Sequence, residues 1–157
     1  MNESDLYPPV KAWLEARGYE VHVEMWDCDV IGVKGEHIVV VELKRRMTWE
    51  LITQLRERIF WADEAWAAVP YPPIKSPDCR AFYNALRREG IGALTFPNGR
   101  AHEHRKARQQ PYIRNRTRAH RLAILASREP AQSHEVAGLP ACHQMREQRQ
   151  RRRNPCL

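Results

Sequence analysis

Residues 29–44 read DVIGVKGEHIVVVELK, and this stretch decides the fold. Two runs dense in valine and isoleucine are typical of β-strands, and we place these strands at Cys28–Val33 and His37–Lys44. Lys34-Gly35 separates the runs, and glycine adopts positive φ readily, so the pair predicts a two-residue hairpin turn. The sequence therefore predicts an antiparallel hairpin.

Polar side chains lie at the open end of this hairpin. Because side chains alternate along a strand, Glu42 and Lys44 share one face, whereas Leu43 points into the opposite layer. The predicted turn sets Asp29 opposite Val40, which lies on the face of Glu42. Two carboxylates and one ammonium group should therefore meet as cross-strand neighbours. A turn of odd length would separate them.

The flanking sequence predicts an α/β fold. A helix is expected at Ser4–Arg17, beginning either at Ser4 or only at Pro8-Pro9, which remove two amide donors. The remaining elements are predicted as a strand at Tyr19–Trp26, a helix at Thr48–Ala62, a strand at Ala65–Val69, a helix from Ser76 to Gly90 and a strand at Ile91–Phe96. The order α-β-β-β-α-β-α-β favours a mixed sheet flanked by helices.

The charge balance changes near residue 98. Residues 1–98 hold 12 Lys/Arg and 15 Asp/Glu, whereas residues 99–157 hold 14 Lys/Arg and 4 Asp/Glu. We therefore expect a folded domain at 1–98 and a basic C-terminal extension at 99–157, partly disordered, with a short helix at 117–127. The extension favours a polyanionic partner such as nucleic acid, the alternative being a solvated tail with no fixed role.

Composition excludes several protein classes. The longest apolar run, Ile38–Val41, is far shorter than the ~18 residues that a membrane span needs. Asn2–Asp5 carries acidic residues where a secretion signal carries basic ones. The four cysteines lack C-x-x-C spacing, so we expect reduced thiols and neither disulfides nor a structural zinc site. A cytoplasmic protein without membrane association is expected.

The carboxylates at the hairpin end indicate metal chemistry. Two adjacent carboxylates repel each other unless a cation lies between them, and Mg²⁺ binds through one or two carboxylates while it keeps several waters. We therefore expect Asp29 and Glu42 to hold Mg²⁺, with Mn²⁺ as an alternative. Lys44 would orient an attacking water or offset charge on a phosphorane. Charges that protect an edge strand from aggregation are the structural alternative for Glu42 and Lys44.

With Glu3 ahead of the first helix and Gln54 in the helix after the hairpin, these residues resemble the PD-(D/E)xK, or restriction-endonuclease-like, nucleases. The resemblance covers about residues 2–97, and it is greatest to small resolvase, repair and phage-type members. It implies a restriction-endonuclease-like core in which Asp29, Glu42 and the Leu43 carbonyl bind metal. It also implies that Lys44 is the catalytic lysine, and that Glu3 and Gln54 belong to the active site.

The sequence departs from the family pattern at two places. Cys28 stands where a proline usually precedes the aspartate. Asp27 shares the strand parity of Asp29, so both remain candidates, although the apolar strand that follows Asp29 directly favours it. Asp5 is a second acidic residue near Glu3.

Basic and aromatic residues surround the predicted site. Four arginines are candidates for binding the phosphates that flank the cut, or else they form an ordinary solvated face; these are Arg45, Arg46, Arg56 and Arg58. Of the tryptophans that are candidates for base stacking, Trp66 is predicted in the core and Trp49 is left open. His102 and His104 lack the framework of a zinc module, so no such site is expected.

The function predicted from these residues is magnesium-dependent hydrolysis of phosphodiester bonds in DNA, by an endo- or exodeoxyribonuclease of DNA repair or recombination. Three alternatives remain: a catalytically silent nucleic-acid-binding module of the same fold, a nuclease directed at RNA, and an assembly component whose tail binds an acidic protein. A homodimer is an open possibility for the oligomeric state.

Overall fold

The structure, a computed structural model, describes residues 2–70 and 77–109, together with Ala123 and Ala126, which are helical. The other residues of the helix expected at 117–127 lie outside this description. In chain order the elements are α1 (Glu3–Glu15), β1 (Glu20–Val23), β2 (Val30–Lys34), β3 (His37–Leu43), α2 (Trp49–Arg58), β4 (Glu64–Ala68), α3 (Pro77–Glu89), β5 (Gly92–Thr95), a 3₁₀ turn (Pro97–Gly99) and β6 (His102–Arg105).

Six strands form one mixed sheet in the order β1-β2-β3-β4-β5-β6. Strand β2 pairs antiparallel with both β1 and β3, and β5 pairs antiparallel with β6. Strand β4 pairs parallel with both β3 and β5. The predicted α/β fold with a mixed sheet flanked by helices is confirmed. Strand β6 was not predicted, and its pairing with β5 carries the sheet beyond residue 98, where the composition had indicated the end of the domain.

Helix α1 runs through Pro8 and Pro9 without interruption and begins at Glu3. Each proline removes one amide donor from the helix, which predicted a later start as one alternative. Leu6 and Val10 lie on either side of the prolines, and both have 0% exposure. Burial of this apolar face against the sheet offsets the missing hydrogen bonds.

The two faces of the sheet carry different helices. Val39, Val41 and Leu43 of β3 pack in one core cluster with α1, whereas Ile38 and Val40 pack on the other face with Trp61. Helices α2 and α3 pack on that second face, against β4 and β5. Glu42 alternates with the α1-facing residues, so its side chain belongs to the face of α2.

The hairpin turn lies one residue later than predicted. Lys34 extends β2 and pairs with His37, so the turn is Gly35-Glu36 and not Lys34-Gly35. Gly35 has φ of 59°, a left-handed conformation that glycine adopts without strain. The register moves by two positions, which preserves the faces and places Asp29 across from Glu42 instead of Val40.

The described residues bear on two further expectations. Trp66 is 4% exposed and packs in the core, as predicted. Cys28 and Cys79 are free thiols, whereas Cys142 and Cys156 lie outside the described residues.

Among the described helices, none has the length and apolar character required to cross a bilayer.

Candidate active site

Glu42 is a buried carboxylate near the end of the central strand β3. Its side chain has 0% exposure. Val41 and Leu43, the residues before and after it in the strand, belong to the apolar core on the other face of the sheet. Burial of an ionised carboxylate is unfavourable unless hydrogen bonds and an opposite charge compensate it. Compensation comes from Arg58, whose Nε donates to Glu42 Oε1 at 3.2 Å.

Asp29 directly precedes β2 and lies beside the end of β3 that carries Glu42. The last β2–β3 pair is Val30 with Val41, so the next position along both strands sets Asp29 across from Glu42. The Asp29 carboxylate is anchored there, since its Oδ2 accepts a hydrogen bond of 2.8 Å from the backbone amide of Leu43. One oxygen of each carboxylate is thus held by the protein, which fixes the orientation of both groups.

Cys28 shows that the two carboxylates share one neighbourhood. Burial raises the pKa of its thiol strongly, and the charges of Glu42, Asp29 and Asp27 raise it further, whereas Arg58 lowers it. The thiol is 2% exposed, so it is a protonated, unreactive group at neutral pH. Cys28 therefore fills the space beneath the site and supplies no nucleophile.

Glu3 reaches the site from the first turn of α1. Its Oε1 accepts a hydrogen bond of 3.2 Å from the backbone amide of Arg45, two residues after Leu43, whose amide binds Asp29. Asp5, the alternative acidic residue, instead accepts a hydrogen bond of 2.6 Å from the backbone amide of Asn2 and closes the first turn of the helix. Of these two acids, Glu3 is the one that contacts the end of the E-x-K segment.

Lys44 directly follows β3. Its backbone amide donates to the carbonyl of Ala68 at 3.0 Å, which continues the parallel pairing and fixes the position of the residue. The side chain is half-buried, and within the described residues its ammonium group makes no ion pair. Lys44 therefore offers a cationic side chain at the strand end that no carboxylate of the described residues pairs with.

Asp27 and Asp29 occupy different positions, although the sequence left both open. Asp27 is exposed and has φ of 60°, in a connection between β1 and β2 where Glu24 and Trp26 also have positive φ. Its backbone carbonyl accepts a hydrogen bond of 2.9 Å from Arg58. It is the Asp29 carboxylate that contacts the E-x-K strand, so the geometry favours Asp29 as the ligand.

Arg58 lies inside the site and not on its rim. It joins α2 to the Glu42 carboxylate and to the Asp27 carbonyl, and its side chain is 14% exposed. The sequence had grouped it with three other arginines as a phosphate-binding candidate, because spacing alone does not show which arginine faces the strand. Arg56 differs, since it is exposed and pairs with Glu89 at 2.6 Å.

Gln54 lies one helical turn before Arg58, so both side chains leave the same face of α2. That face is directed at Glu42, which Arg58 contacts. The Gln54 Oε1 atom is buried, and no hydrogen-bond donor among the described residues reaches it. A buried amide oxygen of this kind is a candidate acceptor for a bound water or ligand.

The donor set fits a hard divalent cation. Asp29 and Glu42 would supply carboxylate oxygens and Leu43 a carbonyl oxygen, the kind of donor that Mg²⁺ prefers. No group of three or more His, Cys, Asp or Glu side chains with the geometry of a metal site occurs among the described residues.

Comparison of the chain with protein-family models, with curated proteins and with solved structures gives no match. The resemblance to PD-(D/E)xK nucleases therefore depends on the residues and their arrangement alone.

Proposed function

We propose that this protein is a metal-dependent nuclease with a restriction-endonuclease-like core, which hydrolyses phosphodiester bonds in DNA. The observation that carries the proposal is that Asp29 and Glu3 each accept a hydrogen bond from a backbone amide at the end of β3, the strand that carries Glu42. Asp29 binds the amide of Leu43, Glu3 binds the amide of Arg45, and Glu42 and Lys44 belong to the same segment. A structural role on an edge strand does not explain Glu42, because β3 is a central strand with neighbours on both sides.

Each side chain has a separate part in the proposed reaction. Asp29, Glu42 and the Leu43 carbonyl hold the divalent ion, Mg²⁺ or Mn²⁺, which when bound polarises the scissile phosphate and offsets the charge that builds on it. Lys44 orients the attacking water and stabilises the negative charge on the phosphorus oxygens. Gln54 and Glu3 position the groups that surround Asp29, Glu42 and Lys44.

The proposed mechanism is direct in-line hydrolysis. Water attacks phosphorus opposite the leaving oxygen and gives up a proton to solvent, the phosphorus–oxygen bond to the leaving group breaks, and the departing alkoxide takes a proton from solvent to become the free hydroxyl end. No covalent enzyme intermediate is required. The described thiol at this site, Cys28, is buried and protonated, which agrees with this scheme.

The charge distribution supports a nucleic acid as the substrate. Residues 99–157 hold 14 Lys/Arg against 4 Asp/Glu, so a long polyanion is attracted to this part of the chain. Deoxyribose and ribose strands share the phosphate backbone, so DNA is proposed and RNA is tested in parallel.

The test is a cleavage assay on supercoiled plasmid, branched DNA and RNA with Mg²⁺, Mn²⁺ or a chelator. Glu42→Gln and Lys44→Ala should each lower the cleavage rate by at least about 100-fold, because the first removes a charged oxygen that would hold the metal ion and the second removes the positive charge beside the phosphorane. The matched controls are Glu15→Gln and Lys11→Ala, which alter an exposed ion pair on α1 and should leave the rate unchanged.

Full activity of both site variants would show that the site is wrong, and cleavage in chelator would exclude a metal mechanism. Tight DNA binding without cleavage by the wild-type protein would instead support a silent binding module of the same fold.

A further inference from the structure

Trp49 is the most exposed of the large hydrophobic side chains in the described part of the chain. It is 64% exposed, whereas Trp13, Trp61 and Trp66 are 8%, 7% and 4% exposed. An exposed indole leaves its ring faces accessible, so Trp49 is a candidate for stacking on a ligand.

The fold holds Trp49 rigidly in this exposed position. It is the first residue of α2, and Thr48 caps the helix by accepting a hydrogen bond of 3.3 Å from the amide of Leu51. Leu51 and Leu55 are fully buried on the other face of the helix. Trp49 therefore cannot turn into the core without breaking the cap and the packing of α2.

Two exposed arginines precede Trp49 in the segment that follows Lys44. Within the described residues Arg45 and Arg46 form no ion pair, unlike Arg17, Arg56 and Arg58, which bind Glu103, Glu89 and Glu42. Their charges therefore remain available to an anionic ligand. Glu50 is the one carboxylate between residues 44 and 53, so the surface is net positive.

We propose that Arg45, Arg46 and Trp49 bind an unpaired DNA strand and direct it to Lys44. This inference rests on the proposed nuclease function and specifies its substrate class. A base stacks on the indole of Trp49 while neighbouring phosphates bind the two guanidinium groups. In a duplex the base faces are covered by neighbouring pairs, so only a single strand, a flap or an unpaired junction arm offers the face that Trp49 requires.

The test measures binding in chelator, so that it does not depend on cleavage. Fluorescence anisotropy gives the affinity of the full-length protein for a labelled oligothymidylate and for a labelled duplex. Trp49→Ala should weaken single-strand binding by roughly 5- to 150-fold, the effect of losing one base–aromatic stack. Duplex affinity should change much less, and Trp49→Phe should restore most of the loss because phenylalanine still stacks.

Phe60 supplies a matched control. It is 62% exposed and follows the C-terminal end of α2, so Phe60→Ala removes a similar apolar surface that lies outside the segment 44–49. This variant should bind both DNAs as the wild type does. Arg46→Gln should weaken the binding of both DNAs and reduce its salt dependence, since it removes a phosphate contact.

Two outcomes would overturn the proposal: unchanged single-strand binding by Trp49→Ala, or an equal loss on single strand and duplex. The proposed nuclease function fails separately, in the cleavage assay with Mg²⁺. A protein that cuts duplex DNA through Lys44 and shows no effect of Trp49 would retain the function and lose this inference.

Discussion

Arg58 makes the buried position of Glu42 tolerable. The Glu42 carboxylate has 0% exposure, so it has lost most of its hydration. The guanidinium donates to it from Nε and simultaneously donates to the Asp27 carbonyl, which fixes the arginine in place. The pair is therefore a positioning device for the carboxylate that we propose as a metal ligand.

Loss of this arginine should be strongly destabilising. Arg58→Met leaves a buried carboxylate without its counter-charge, which lowers the free energy of unfolding by about 3–5 kcal/mol. The double variant Arg58→Met/Glu42→Gln removes both charges and should recover part of that loss. Urea unfolding of the four proteins of this cycle gives the coupling energy between the two residues.

Arg56 provides the control for that cycle. Its ion pair with Glu89 is half exposed, so Arg56→Met should change the unfolding free energy by less than about 1 kcal/mol. Equal effects of the two arginine substitutions would contradict the role given to Arg58. A double variant no more stable than Arg58→Met would contradict it as well.

At the scale of elements, the pairing of β4 with β5 brings one large side chain directly against one glycine. Trp66 pairs with Gly92 across the parallel strands, and the indole also packs edge-on against Trp13, with ring centroids 4.9 Å apart. A Cβ atom on Gly92 would lie 2.4 Å from Cε3 of the Trp66 ring. Glycine is therefore required there by close approach and not by its backbone conformation.

Gly92→Ala should displace the Trp66 ring or the strand, and it should lower the free energy of unfolding by at least about 1–3 kcal/mol, the usual effect of overpacking a core. Gly32→Ala is the matched control, since its Cβ would meet a Leu14 methyl group at 2.9 Å, at the end of a side chain that can rotate. Urea unfolding and near-ultraviolet circular dichroism measure both changes. A Gly32 variant that is as unstable as the Gly92 variant would refute this account of the contact.

The sequence-based predictions are accurate for features that depend on local patterns and fail for features that depend on contacts between distant residues. Alternation of valines in β3 is a local pattern, and it correctly predicted the faces of the hairpin, so Asp29 and Glu42 were brought together despite an error in the turn. A turn shifted by one residue at both of its ends moves the register by two, and an even shift preserves the side-chain faces.

Features that depend on distant contacts were not predicted. Strand β6 has the sequence HEHR, which lacks an apolar pattern, and it is a strand because it pairs with β5 and because Glu103 contacts Trp13 and Arg17. The contact between Arg58 and Glu42 likewise depends on how α2 crosses the sheet. No local propensity contains that information.

At the scale of the whole molecule, the proposed site and the strongest positive charge belong to different parts of the chain. The site is built from residues 3–58, whereas residues 110–157, of which the structure describes only Ala123 and Ala126, hold 10 Lys/Arg and 3 Asp/Glu. Charges of this kind bind a phosphate backbone without sequence preference and release counterions, so their contribution falls as salt rises. Catalysis and non-specific affinity should therefore be separable by mutation.

Replacement of Arg151, Arg152 and Arg153 by glutamine tests that separation. The plot of log binding constant against log salt should become shallower by up to about 0.9 for each arginine that contacts a phosphate, whereas the cleavage rate at saturating DNA stays unchanged because the strand end around Glu42 is intact. The same arginine-to-glutamine change at Arg87 and Arg88, at the exposed end of α3, is the control and should alter the slope less. An unaltered slope in the triple variant would assign the C-terminal arginines to another partner, such as an acidic protein, and a lower saturating rate would show that they act within the site itself.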